Sequence, residues 1–185
     1  MVNENDEKII IKCSPRLAIY LDEGIREVEM GSEKVRELIS FLLIHHGEKN
    51  KKSTICRYLW ENKSIQEGMD CLYKTVHIIK HSEIPFHITD AQGTLGINTE
   101  NLDCDLFALE QLYNENNSVE NKEKIISLYK SVPFSDECYE WMCQWEAKFE
   151  YKYIQTLEEL CRHYIENHNQ EKVGYYRKLL DDFSK

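Results

Sequence analysis

The chain has 185 residues, room for one or two domains, and a 42% hydrophobic content that is enough to build a buried core. A formal net charge of −10 excludes a generic binder of polyanions or of anionic membrane surfaces, because that binding runs on Lys and Arg. The charge is uneven: residues 1–100 hold 13 Lys and Arg against 16 Asp and Glu, residues 101–185 hold 10 against 17, and residues 49–81 hold seven basic residues against three acids.

The N-terminal run MVNENDEK is acidic and lacks the basic start of a secretory signal. The apolar runs Ile9–Ile11 and Leu38–Ile44 are far too short to span a bilayer. The expectation is a cytoplasmic protein with no membrane partner, whose seven cysteines are reduced thiols. Residues 8–30 read as short strands: KIIIKC and LAIYL are β-rich, Pro15 separates them, and Asp22-Glu23-Gly24 is a turn signal before IREVEM. Ser32 can cap a helix that runs to about His46, with Val35, Leu38, Ile39, Leu42 and Leu43 on one face and Gly47 as the stop. Ser53 can cap a second, shorter helix carrying Ile55, Tyr58, Leu59 and Trp60. Ser64 can cap a third, with Glu67 completing a capping box and Met69, Leu72, Val76 and Ile79 forming the buried stripe. The run PFHITDAQGTLGINT then alternates around Gly93 as a hairpin does.

From Asp103 onward the pattern is helical. DLFALEQLYNEN, KEKIISLYKS, a long run from about Asp136 to Asn167 and KVGYYRKLLDDF are separated by breaks at 114–118, 132–135 and 167–170. Such helix-turn-helix pairs fit stacked helical-hairpin repeats. The predicted fold is a predominantly helical chain: an α+β unit of strands, three helices and a hairpin over residues 1–101, then an all-α, TPR-like helical-hairpin domain over residues 102–185.

Strands, three helices, a hairpin and then helical hairpins resemble the output region of SARP-type bacterial regulators, an OmpR/PhoB-like winged helix joined to a bacterial transcriptional activator domain. The resemblance is carried by KVRELISFLLIHHGEKNKKSTICRYLWEN, by LDCDLFALEQL with Asp103, Asp105, Phe107, Leu109 and Leu112, and by SLYKSVPF with the run from Tyr139 to Leu180. In that last stretch Leu128, Tyr129, Pro133, Trp141, Glu146, Leu157 and Tyr164 fall in register with the activator domain. The resemblance covers nearly the whole chain. It implies a transcription regulator of the kind related to two-component systems. The third helix would enter the major groove of double-stranded promoter DNA, the wing would touch the minor groove or the backbone, and the helical domain would contact partners such as RNA polymerase or a second copy of the chain. The sequence departs from the family pattern at Asp70 and Ile78, where cations are usual, and in the wing run Gly93-Thr94-Leu95-Gly96-Ile97, which has none. The activator domain is expected to be shortened.

As a DNA footprint, Lys51, Lys52 and Lys63 would hold phosphates, while Tyr73, Lys74, His77, Lys80 and His81 would lie toward the groove. The same residues also fit ordinary solvated helix faces, and the resemblance tips the reading toward DNA. An interaction module that kept the fold and lost DNA binding is the alternative. His77 and His81 are four apart, a spacing that can hold a metal, but no His-Glu-x-x-His pattern accompanies them. Cys138, Cys143 and Cys161 form no C-x-x-C pair and read as buried thiols. No metal or cofactor is therefore expected. Trp141, Trp145 and Phe149 repeat every four residues as a helix stripe that packs between hairpins, and exposure of part of it would mark a partner surface. Nucleophile elbows, phosphate-cradling loops and nucleotide fingerprints are absent from the sequence, so no enzymatic activity is expected.

Overall fold

The computed structural model describes residues 8–85, 87–115 and 117–183. The acidic residues 1–7, Phe86 of the hairpin run, Asn116 of the break expected at 114–118 and the last two residues lie outside these. The chain divides into two compact units, one running to Cys13 and from Leu17 to Cys104, the other made of Ser14–Arg16 and the residues from Asp105 on.

In the first unit, β1 (Ile9–Lys12) pairs antiparallel with β2 (Ala18–Leu21), and β2 with β3 (Arg26–Glu27). α1 (Glu33–Ile44) starts at Ser32, whose Oγ accepts the Val35 N–H at 3.3 Å. Val35, Leu38, Ile39, Leu42 and Leu43 are buried together, so the amphipathic stripe becomes the centre of the unit. The chain leaves α1 through Gly47 at φ +77°, a conformation that costs a residue with a Cβ. β4 (Asn50–Lys51), β5 (Ile88–Ala91) and β6 (Thr94–Ile97) form a second sheet in the order β4-β6-β5. Gln92 and Gly93, at φ 37° and 84°, turn the β5–β6 hairpin, and both positive values suit the twist of the strands.

α2 (Lys52–Leu59) and α3 (Ile65–Lys80) follow β4. The start of α2 differs from the expected Ser53 cap. Lys51 is the N-cap without a side-chain cap bond, and the Lys52 N–H donates to the Gly93 carbonyl at 2.9 Å. The hairpin turn thus satisfies one of the amides that a capping side chain otherwise takes. α3 approaches α2 at Gly68, where a Cβ would come within 3.1 Å of the Cys56 Cβ. Leu72, Val76 and Ile79 are buried beneath α3, while Met69 is half-buried, with the Cys56 thiol 3.6 Å from its Sδ.

The expected boundary, between residues 101 and 102, is followed by one more strand. Leu102–Cys104 forms β7, which pairs parallel with β1 in the register Ile9 to Leu102 and Ile11 to Cys104, so the four-stranded sheet runs β3-β2-β1-β7. A short segment also joins the second unit from far upstream: the Ser14 hydroxyl donates to the Ser131 carbonyl at 3.0 Å, and the Asp136 N–H donates to the Pro15 carbonyl at 3.1 Å.

The second unit is built from α4 (Asp105–Asn114), α5 (Val119–Leu128), α6 (Cys143–Glu166) and α7 (Gln170–Phe183). Ser118 caps α5 through the Asn121 N–H at 3.1 Å. Ile125, Tyr129, Tyr153, Leu157, Leu160, Tyr164, Val173 and Tyr176 are its buried faces, with Tyr129 stacked on Tyr153 at 4.2 Å. The continuous helix expected from Asp136 to Asn167 does not form. Phe134 and Cys138 adopt left-handed conformations at φ 60° and 52°, leaving short 3-10 turns at Ser135–Glu137 and Glu140–Met142 before α6 begins. Cys138 consequently lies between these turns and Cys143 at the α6 start, both exposed rather than buried, and Cys161 alone of the three is in the core. Among the described residues no helix is long and apolar enough to cross a membrane.

Candidate nucleic-acid interface

The centre of the candidate site is α3. Its first turn is closed by a capping box: Ser64 Oγ accepts the Glu67 N–H at 3.3 Å, and the Glu67 carboxylate accepts the Ser64 N–H at 3.0 Å and the Ser64 hydroxyl at 2.6 Å. These bonds, the hydroxyl's first and the amide's second, hold the Glu67 pKa below the ordinary carboxylate value. The acid is thereby committed to the helix start, where negative charge is favoured.

Burial of Leu72, Val76 and Ile79 leaves the opposite face of α3 exposed, and Gln66, Asp70, Tyr73, Lys74, His77 and His81 lie along it. Lys80 and Ile78 stand at its two margins, both exposed. The His77 and His81 rings are 4.1 Å apart, and His81 Nδ1 lies 2.8 Å from the His77 carbonyl oxygen, within hydrogen-bond reach. The Gln66 side-chain amide donates to Asp70 at 3.4 Å. Lys51 is exposed just before α2, Lys63 is exposed in the turn between α2 and α3, and Arg57 is exposed on α2.

Lys52 does not belong to this surface. Its side chain is 8% exposed, its ammonium meets the Asp90 carboxylate at 2.7 Å, and it lies 4.8 Å from the centre of the Tyr73 ring. Burial pushes its pKa down, but the hydrogen bond and charge of Asp90, with a smaller contribution from Tyr73, outweigh that and hold it above the usual lysine value. The expected phosphate contact is instead an internal cation that ties α2 to β5 and α3. Asp90, its partner, lies 38 positions downstream, and no local spacing pointed to it. Behind α2, the Lys34 ammonium donates to the Leu59 carbonyl at 2.8 Å and pairs with the buried Glu37 carboxylate, satisfying the end of that helix from α1.

The aromatic residues considered as a partner surface lie in the second unit and face inward. Trp141 is 7% exposed and Phe149 2%, Tyr139 stacks on Trp141 at 5.5 Å, and the Lys148 ammonium covers the half-buried Trp145 ring at 4.4 Å. Trp141 lies in the 3-10 turn before α6, so the three are not one helix stripe.

No family model matches the chain, and no curated protein sequence matches it. Among solved structures it is similar to EmbR of Mycobacterium tuberculosis, determined in complex with a low-affinity phosphopeptide, with a TM-score of 0.58 at 11% identity. The likeness covers 96% of this chain and 55% of EmbR, so the chain spans about half the length of that protein. At that identity the likeness shows the fold alone, a predominantly helical chain with two small sheets.

Proposed function

We propose that the chain is a cytoplasmic, DNA-binding transcriptional regulator without enzymatic activity. α3 docks in the major groove of promoter DNA, the β5–β6 hairpin lies against the backbone, and the helical unit contacts partner proteins such as RNA polymerase or a second copy of the chain. The observation that carries this reading is the exposed face of α3, where Tyr73, Lys74, His77 and His81 follow one another with Lys80 at the margin. Lys51 and Lys63 supply phosphate contacts from the two turns that flank α2. Because few cations line this face, two copies on repeated half-sites supply the affinity that one weakly basic module lacks.

Asp70 on the same exposed face, and a β5–β6 hairpin whose turn Ala91-Gln92-Gly93 has no cation, favour the second reading, an adaptor that retained the fold without DNA binding. Fluorescence anisotropy on labelled promoter duplexes separates the two. Binding at low salt that weakens steeply as salt rises, and a salt slope reduced by roughly one unit for each of Lys74→Ala and Lys80→Ala, supports the regulator. No binding at low salt supports the adaptor, and binding indifferent to both substitutions overturns α3 as the helix that contacts DNA.

A further inference from the structure

We infer that Cys13 and Cys104 form a redox site, a dithiol that a hydroperoxide converts into a disulfide. The two sulfurs lie 3.6 Å apart although the residues are 91 positions apart in the chain. Both side chains are buried, at 0% and 2% exposure, so neither sulfur is a wandering surface thiol. Cys104 is the last residue of β7, in register with Ile11 of β1, and Cys13 follows the end of β1. The ladder that sets this register therefore also sets the sulfur–sulfur distance. Closing from 3.6 Å to a bond of about 2.05 Å is a movement of roughly 1.5 Å, within the reach of side-chain torsions.

Access comes from the sheet edge. β7 has three residues, pairs with β1 alone in the order β3-β2-β1-β7, and stands at the end of the sheet. A short edge strand opens locally at far lower cost than the core, and such opening bares both sulfurs together. One thiol, ionised, then attacks the O–O bond of the hydroperoxide, forming a sulfenic acid and releasing the alcohol, or water when the oxidant is hydrogen peroxide. The second sulfur attacks the sulfenic sulfur and expels its oxygen as water. The two thiols give up two electrons and two protons, and the peroxide takes up both. The product closes a ring around α1, α2, α3 and the β5–β6 hairpin, restricts the unfolded chain and pins β7 to β1. This site does not depend on whether the first unit binds DNA.

The test uses the full chain. Protein treated with hydrogen peroxide is blocked with an alkylating reagent, digested without reductant and mapped by mass spectrometry, with melting followed in parallel. The expected result is a linked Cys13–Cys104 peptide, and a melting transition raised on the order of 10 °C that dithiothreitol reverses. In Cys13→Ser and Cys104→Ser both the link and the shift disappear. Recovery of Cys13 and Cys104 as alkylated thiols, at peroxide levels that oxidise the exposed Cys138 and Cys143, overturns the inference, as does their linkage to other cysteines. The wild-type peptide map decides the matter even if a serine variant does not fold.

Discussion

An ammonium group on a nearly buried side chain remains a cation only where an anion or an aromatic face replaces the lost water, and Lys52 has both in Asp90 and Tyr73. Removing one member of such a pair leaves the other charge poorly compensated. Lys52→Met is therefore expected to destabilise the fold by about 1–3 kcal/mol, less than for a wholly buried pair because Asp90 is 29% exposed. Urea unfolding of Lys52→Met, Asp90→Asn and the double variant measures the coupling. Additive losses would mean that the two groups do not support each other. On folded protein, Lys52→Met should also lower the salt slope of DNA binding by less than the roughly one unit expected of a phosphate-contacting lysine. Glu67 is the counterpart among the acids: its position at the start of α3 looks hostile to DNA, yet its Oε2 accepts both the amide and the hydroxyl hydrogen bond of Ser64. Asp70 has no such cap, and nothing in the structure reconciles it with a phosphate-facing surface.

At the scale of elements, one carboxylate gathers three helices. Glu123 on α5 accepts hydrogen bonds from the Tyr164 hydroxyl of α6 at 2.7 Å, from the Tyr176 hydroxyl of α7 at 3.0 Å and from the Lys172 ammonium of α7. The Lys172 bond, then the Tyr164 bond, hold the Glu123 pKa below the ordinary carboxylate value, against the effect of burial. A depressed carboxylate pKa contributes stability that is complete above its unfolded value and is lost as pH falls through its folded value. Glu123→Ala is thus expected to cost about 2 kcal/mol at neutral pH, and the gap from wild type should narrow as pH drops below the ordinary carboxylate range. Melting curves of both proteins from pH 7 to pH 3 check this, and a gap independent of pH would refute it. The network joins residues 41 and 53 positions apart, and no spacing in the sequence announces it. What could be read ahead of the structure was local. The stripe of α1 and the capping box of α3 are written within a few consecutive residues, and both elements form where expected. The start of α2 and the strand β7 were hidden because their partners, Gly93 and β1, are about 40 and 90 residues away. The aromatic repeat through Trp141 and Phe149 misled because helical spacing carries no record of the left-handed Phe134 and Cys138 that interrupt the chain ahead of α6. Most of the residues proposed to face DNA share one exposed helix face, while Lys52 is held inward by a partner from another element, which no local spacing records.

At the scale of the whole chain, the division into units does not follow a single cut. The backbone passes from one unit to the other after Cys13, returns after Arg16 and passes again after Cys104. A fragment of residues 105–185 lacks Ser14–Arg16, and with it the bonds to Ser131 and Asp136. It is expected to melt at a lower temperature than the same unit within the full chain, and adding a peptide of residues 8–17 in excess should recover part of the loss by mass action. A fragment as stable as the parent would show that the segment contributes nothing. The same threading bears on how such a protein could be recombined. A gene fusion made at the last junction would transplant the helical unit without its upstream tether, and would leave that tether stranded between two strands of the donor. Units bound in this way are exchanged as a whole or with a penalty, so new partners are more readily gained by changing surface side chains than by swapping the units themselves.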